Sequence, residues 1–116
     1  MATACLFMGW GRPVAGREKE AFGYLMGEVR GHIGKLLTDG WFESHDFVAL
    51  TPHGGDLGGF ILLKGERAKL DELRRTDEFE RLSMNLNRCF VGYGVVPGVT
   101  GEGIDKVSQR NPDLLK

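Results

Sequence analysis

Two stretches with helical spacing divide this chain, and short β-prone runs flank each of them. That alternation limits the fold more than any single motif does. Residues 3–10, TACLFMGW, read as a strand ended by Gly11 and Pro13. From Arg17 to Leu37 the apolar residues Phe22, Leu25, Met26, Val29, Ile33, Leu36 and Leu37 recur at intervals suited to a helix, and Asp39-Gly40 stops it. Residues 41–50 and 57–64 read as a second and a third strand. GERAKLDELRR gives a short helix. Thr76 caps a further helical turn whose apolar side continues through Phe79, Leu82 and Leu86. Residues 88–96, RCFVGYGVV, read as a fourth strand closed by Pro97-Gly98.

The resulting order, β-α-β-β-α-β, is the ferredoxin-like split arrangement of an α+β domain. Right-handed crossovers then predict an antiparallel sheet in the order 4-1-3-2 with both helices on one face. The domain is expected over residues 1–97. A polar, glycine-broken tail follows over 98–116, with one weak helix at 102–110.

The chain has 116 residues, enough for one domain with a core that needs neither disulfide nor metal. Its net charge of −1 is evenly mixed and provides no broad electrostatic footprint for nucleic acid or an anionic membrane. No apolar run approaches the ~18 residues of a membrane span, and the N-terminus lacks the basic start of an export signal, so a cytoplasmic location is expected. Cys5 and Cys89 both fall in strand-like runs and are expected to be buried, reduced and too far apart to bridge. The three histidines lie in different elements and no metal-ligand spacing occurs, so no metal or other cofactor is expected.

The stretch LTPHGGDLGGFILLKG, residues 50–65, raises the question of a phosphate cradle. Such a loop leads into a helix N-terminus, usually through Lys-Ser/Thr, and a strand follows here instead. The glycines are therefore those of a hairpin, with Gly54-Gly55 supplying positive φ angles.

With these elements in place the chain resembles the dimeric α/β-barrel superfamily, including the YCII-related and antibiotic-biosynthesis-monooxygenase-like proteins. The segments MGWGRPVAGR (8–17), TPHGGDLGGF (51–60) and GYGVVPGVTGEG (92–103) are similar to those of a small bacterial group without an assigned reaction. The resemblance implies a homodimer through the sheet and a cleft that holds a small organic ligand. It also implies that members divide between cofactor-free oxygenases, isomerases, haem enzymes and non-catalytic proteins. YCII-like proteins carry a His–Asp pair. Here His45 and Asp46 are consecutive on a strand, so they point to opposite faces and cannot pair.

Two clusters are candidate sites. The fold brings the ends of strands 1 and 2 to the start of strand 4, which groups Trp10, Arg12, His53, Asp56, Asn87 and Arg88 on one rim. A histidine beside a carboxylate and two guanidiniums can move protons or grip an anionic substrate, or simply satisfy a turn. Alternation along strand 2 puts Trp41, Glu43, His45, Phe47 and Ala49 on one face, where Glu43 and His45 are placed to hydrogen bond. Tyr93 lines this face or the opposite one. An acid, a histidine and aromatics suit proton abstraction, and the same residues suit a dimer interface. The catalytic candidates are thus His45, His53 and Glu43, and the ligand-binding candidates are Trp10, Arg12, Asp56, Arg88 and Tyr93. His32 reads as a histidine at the edge of the helix's apolar arc.

Gly23, Gly27, Gly31 and Gly34 share an arc of about 80° on the first helix, opposite its apolar stripe. Either another helix or chain approaches there, or the face is open. Three functions follow as expectations. The chain is a homodimeric binder of a small organic molecule, a cofactor-independent oxygenase or isomerase using His45 or His53 as general base, or a non-catalytic protein-interaction module.

Overall fold

The computed structural model describes residues 2–111 and 113. Four strands, β1 (Ala4–Trp10), β2 (Ser44–Ala49), β3 (Gly59–Gly65) and β4 (Gly94–Val99), form one antiparallel sheet in the order β2-β3-β1-β4. This is the expected 4-1-3-2 order read from the other edge. The first crossover contains α1 (Glu18–Tyr24) and α2 (Arg30–Thr38), joined through a π-helical turn at Leu25–Val29. The second contains α3 (Arg67–Arg74) and α4 (Asp77–Cys89), and α5 (Glu102–Arg110) follows β4.

Alternation explains why the core lies on one side of the sheet. Leu6 and Met8 of β1 pair with Leu63 and Ile61 of β3, and all four are fully buried. They meet Ala21, Leu25, Val29, Ile33 and Leu36 of the first crossover, and Leu70, Leu73, Phe79, Leu82 and Leu86 of the second. Phe7, Phe60, Leu62 and Val96 occupy the opposite face, where Phe7 and Phe60 stack at 5.2 Å. No helix covers them within the core cluster.

The buried residues of the first crossover run Ala21, Leu25, Val29, Ile33, a series of fours. In a regular α-helix each step of four turns the buried line by about 40°. The π-turn absorbs this drift: the N–H of Arg30 donates to the carbonyl of Leu25, five residues back. As a result Phe22 and Met26, expected in the core stripe, are 50% and 52% exposed.

Three boundaries differ from expectation. After α2, Gly40 takes φ +83°, its N–H donates to Leu37 and that of Trp41 donates to Leu36, a Schellman cap. Trp41 is thereby committed to the helix end and β2 begins only at Ser44. The segment 88–96 is not a strand throughout, because Phe79, Leu82, Leu86 and Cys89 form one continuous buried helical face. Cys89 therefore lies on α4, and β4 starts at Gly94 after a turn at Gly92 (φ +70°). Pro97-Gly98 does not close β4: Pro97 pairs with Leu6 and Gly98 with Cys5. A proline is tolerated because β4 is an edge strand.

Other expectations hold. Thr76 caps α4, its hydroxyl oxygen accepting from the N–H of Phe79 at 3.3 Å. The expected tail helix forms as α5 and packs back on the domain, with Gly103 against the carbonyl of Thr3. Both cysteines are buried and free. Cys5 sits on the open sheet face and Cys89 in the core on the other side. No helix among the described residues is long and apolar enough to cross a membrane.

Candidate functional site

Where β1 ends, three stretches of backbone converge. Gly58 donates its N–H to the carbonyl of Trp10 at 2.7 Å, and Gly11 donates to Val91 at 2.8 Å. A Cβ on Gly58 would stand 2.6 Å from the carbonyl oxygen of Gly11. One on Gly11 would strike the carbonyl oxygen of Val91. These glycines thus serve close backbone approach, which locks the long loop 50–58 against the end of β1. The hairpin reading holds, with Gly54 alone taking positive φ at the tip (+83°).

The locked loop forms one wall of a cleft of about 570 Å³, and the first turns of the α1–α2 crossover form the other. Trp10 is its floor: 3% exposed, its ring lies over Gly59 and 5.7 Å from Phe47. Four large apolar side chains that remain exposed, Phe22, Met26, Leu50 and Leu57, all line this cleft. Arg12, His53 and Asp56 supply its polar groups. The π-turn contributes Leu25 and Met26 directly to the wall.

The ring of His53 is oriented by its own loop. Nδ1 lies 2.8 Å from the carbonyl oxygen of Thr51. A carbonyl only accepts, so Nδ1 carries a proton and Nε2 is the ring nitrogen left to other partners. Arg12 and Asp56 line the cleft together, yet no ion pair joins them or engages either side chain among the described residues. Arg30 stands over the ring of Phe47 at 5.7 Å.

Of the predicted rim, Trp10, Arg12, His53 and Asp56 meet in this cleft, while Asn87 and Arg88 do not line it. Because α4 continues to Cys89, Arg88 is a helix-surface residue, bonded to Glu20 at 3.3 Å. The predicted strand-2 face is only partly formed. Phe47 and Ala49 line the cleft, but the register is interrupted between Phe42 and His45, whose rings both turn toward the core 5.9 Å apart. Glu43 is exposed and makes no hydrogen bond to His45 among the described residues, whose buried Nδ1 is without a partner. His45 and Asp46 diverge as alternation requires, and Asp46 pairs with Lys64 at 2.8 Å. Tyr93 lies elsewhere, sharing a 2.9 Å hydrogen bond with the hydroxyl of Ser83 on α4. Burial pushes its phenol above the ordinary value, and the Ser83 hydrogen bond opposes that rise.

Sequence reasoning missed Phe22 and Met26 as lining residues. The signal was the series of fours in the neighbouring buried positions, which a regular helix cannot keep on one face. The glycine face of the first crossover is open within the chain: a Cβ at Gly23, Gly27, Gly31 or Gly34 would meet nothing within 4 Å. His32 lies beside Gly31 in a shallow groove between the first crossover and α4, its Nε2 without a partner. No group of three or more His, Cys, Asp or Glu among the described residues could hold a metal ion.

No family model matches the chain and no curated protein matches its sequence. Among solved structures it is similar to a conserved protein from Methanosarcina mazei Go1, with a TM-score of 0.55 at 15% identity. The match covers 83% of this chain and 91% of that one. At this identity the likeness is one of fold, and it places the chain among small α+β proteins with a ferredoxin-like arrangement of helices and sheet.

Proposed function

We propose that the protein binds a small, largely apolar organic molecule in the cleft above Trp10, without chemical conversion, and works as a homodimer joined through the open sheet face. The observation that carries the reading is the ring of exposed Phe22, Met26, Leu50 and Leu57 around one concavity. Exposed apolar residues scattered singly need no explanation, but four around one cleft with a few convergent polar groups form the usual composition of a small-molecule site. Its volume also lies within the range of such sites, about 300–1,000 Å³.

The homodimer is supported by the open face. Its apolar centre, Phe7 and Phe60, is flanked by the Asp46–Lys64 pair, so the patch is locally neutral. A two-fold axis brings a patch onto itself, and a neutral patch meets its copy without like-charge repulsion. This arrangement supports kinship with the YCII-related and monooxygenase-like members of the dimeric α/β-barrel superfamily.

A second reading is a cofactor-independent oxygenase or isomerase with His53 as general base. It is favoured by the hydrogen bond that fixes Nδ1–H and leaves Nε2 without a protein partner among the described residues. His45 is the weaker candidate, since its ring turns to Phe42 rather than lining the cleft.

Native mass spectrometry of the protein purified from its own host tests both parts. The expected result is a dimer carrying a discrete small-molecule adduct, with the adduct lost in Met26→Glu and the dimer lost in Phe60→Glu. An adduct that survives Met26→Glu would move the site elsewhere, and a monomeric parent chain would refute the sheet interface. Turnover of the adduct that His53→Ala abolishes would favour the enzyme.

A further inference from the structure

The polar groups of the cleft specify the charge of its occupant, an inference that rests on the cleft being a binding site. Arg12 is held on a backbone pinned at both sides: Gly11 donates to Val91 at 2.8 Å, and Val91 donates to the carbonyl of Arg12 at 2.7 Å. Its guanidinium, by contrast, has neither ion pair nor hydrogen bond among the described residues. Of the other arginines on the first crossover and α4, Arg17 and Arg88 pair with Glu20, and Arg30 stands over Phe47 without lining the cleft. Arg12 is thus an exposed cation on a fixed backbone at the rim of an apolar cleft, without a protein partner among the described residues, and its forked donors suit a carboxylate or sulfonate.

Asp56 limits the occupant further. It lines the same cleft and also the recess beside it that Arg12 shares, yet the two do not pair. A second acidic group on the occupant would meet this carboxylate. The glycines of the loop lead into β3 and not into a helix, so the loop itself offers no helix N-terminus to offset further negative charge. We propose that the cleft selects an organic monoanion, an apolar ring-sized body with a single acidic group held by Arg12. Polyphosphates and dicarboxylates are excluded, and neutral molecules of the same shape bind less tightly.

Two dyes with nearly the same aromatic body make the test: 1-anilinonaphthalene-8-sulfonate, a monoanion, and N-phenyl-1-naphthylamine, which is neutral. In a Trp41→Phe background Trp10 is the sole tryptophan, so energy transfer from it reports bound dye, and loss of that signal in Met26→Glu assigns the dye to the cleft. The sulfonate is expected to bind more tightly than the amine. Arg12→Gln should weaken the sulfonate by about tenfold or more and change the amine by less than about twofold, as loss of one charge-assisted contact implies. Asp56→Asn should tighten the sulfonate. Equal affinity for the two dyes, or an Arg12→Gln variant that binds both unchanged, would overturn the monoanion while leaving the cleft in place. Absence of energy transfer from Trp10 for both dyes would overturn the cleft and the monoanion with it.

Discussion

The cleft above Trp10 and the groove between the first crossover and α4 are concavities of similar size, about 570 and 480 Å³, yet they are built on opposite terms. The cleft has a buried tryptophan floor, an apolar rim and glycines that admit no side chain. The groove is lined by Glu28, Lys35, Glu78 and Arg81, none of them ion-paired among the described residues, and its Gly31 faces open space. Charges in the groove are solvated and hold nothing in place. The comparison teaches that concavity alone marks no site. What marks one is the convergence of apolar lining, buried floor and locked backbone, since exposed and unpaired charges line both concavities and do not distinguish them.

Breaking the cleft at its floor should give the largest effect. Trp10→Ala removes a side chain packed on Phe47 and Phe90 and is expected to cost about 3–5 kcal/mol in denaturant unfolding. Next is the lock itself. Gly58→Ala sets a methyl against the Gly11 carbonyl, and the backbone shift should cost about 1–3 kcal/mol while abolishing dye binding at the cleft. The same substitution in the groove has the opposite sign. Gly31→Ala meets no atom and relieves a helix glycine, so it should stabilise by up to about 1 kcal/mol, raising Tm by about 4 °C without touching the cleft. A destabilised Gly31→Ala would show that the groove is covered by something.

Tyr93 supplies the smallest effect and a control outside both concavities. Its folded phenol titrates above the unfolded one, so its stabilising contribution is whole below the unfolded value and is lost as pH rises through the folded value. The parent should therefore lose stability above about pH 10 more steeply than Tyr93→Phe, as read by thermal melts along an alkaline series.

Much of this architecture was legible in the sequence because local signals and global order agree. Gly40 marks the end of α2, Thr76 caps α4, and the succession of periods leads to the observed strand order. The convergence of Trp10, Arg12, His53 and Asp56 followed from that order alone. Where two signals competed, the nearer one misled. Cys89 is β-prone by composition, but it completes the helical face begun at Phe79, and tertiary burial decides; extended backbone resumes only at Phe90, which bridges Pro13. Trp41 fits a strand by pattern, but capping geometry claims it first. Phe22 and Met26 were missed because a reading at 3.6 residues per turn does not register the π-turn that the series of fours requires.

The separation of the two thiols by the sheet equips the molecule with two internal clocks. The sulfur of Cys5 lies against Gly98 of the edge strand, 3.0 Å from where a Cβ there would stand, so parting of the proposed dimer with fraying of β4 uncovers it while the core stays closed. Cys89 is sealed among core side chains at the end of α4 and becomes reactive only when the helix layer leaves the sheet. Thiol labelling of the native protein therefore times two distinct openings, fraying of one margin and dissolution of the whole, from two atoms the fold keeps on opposite sides.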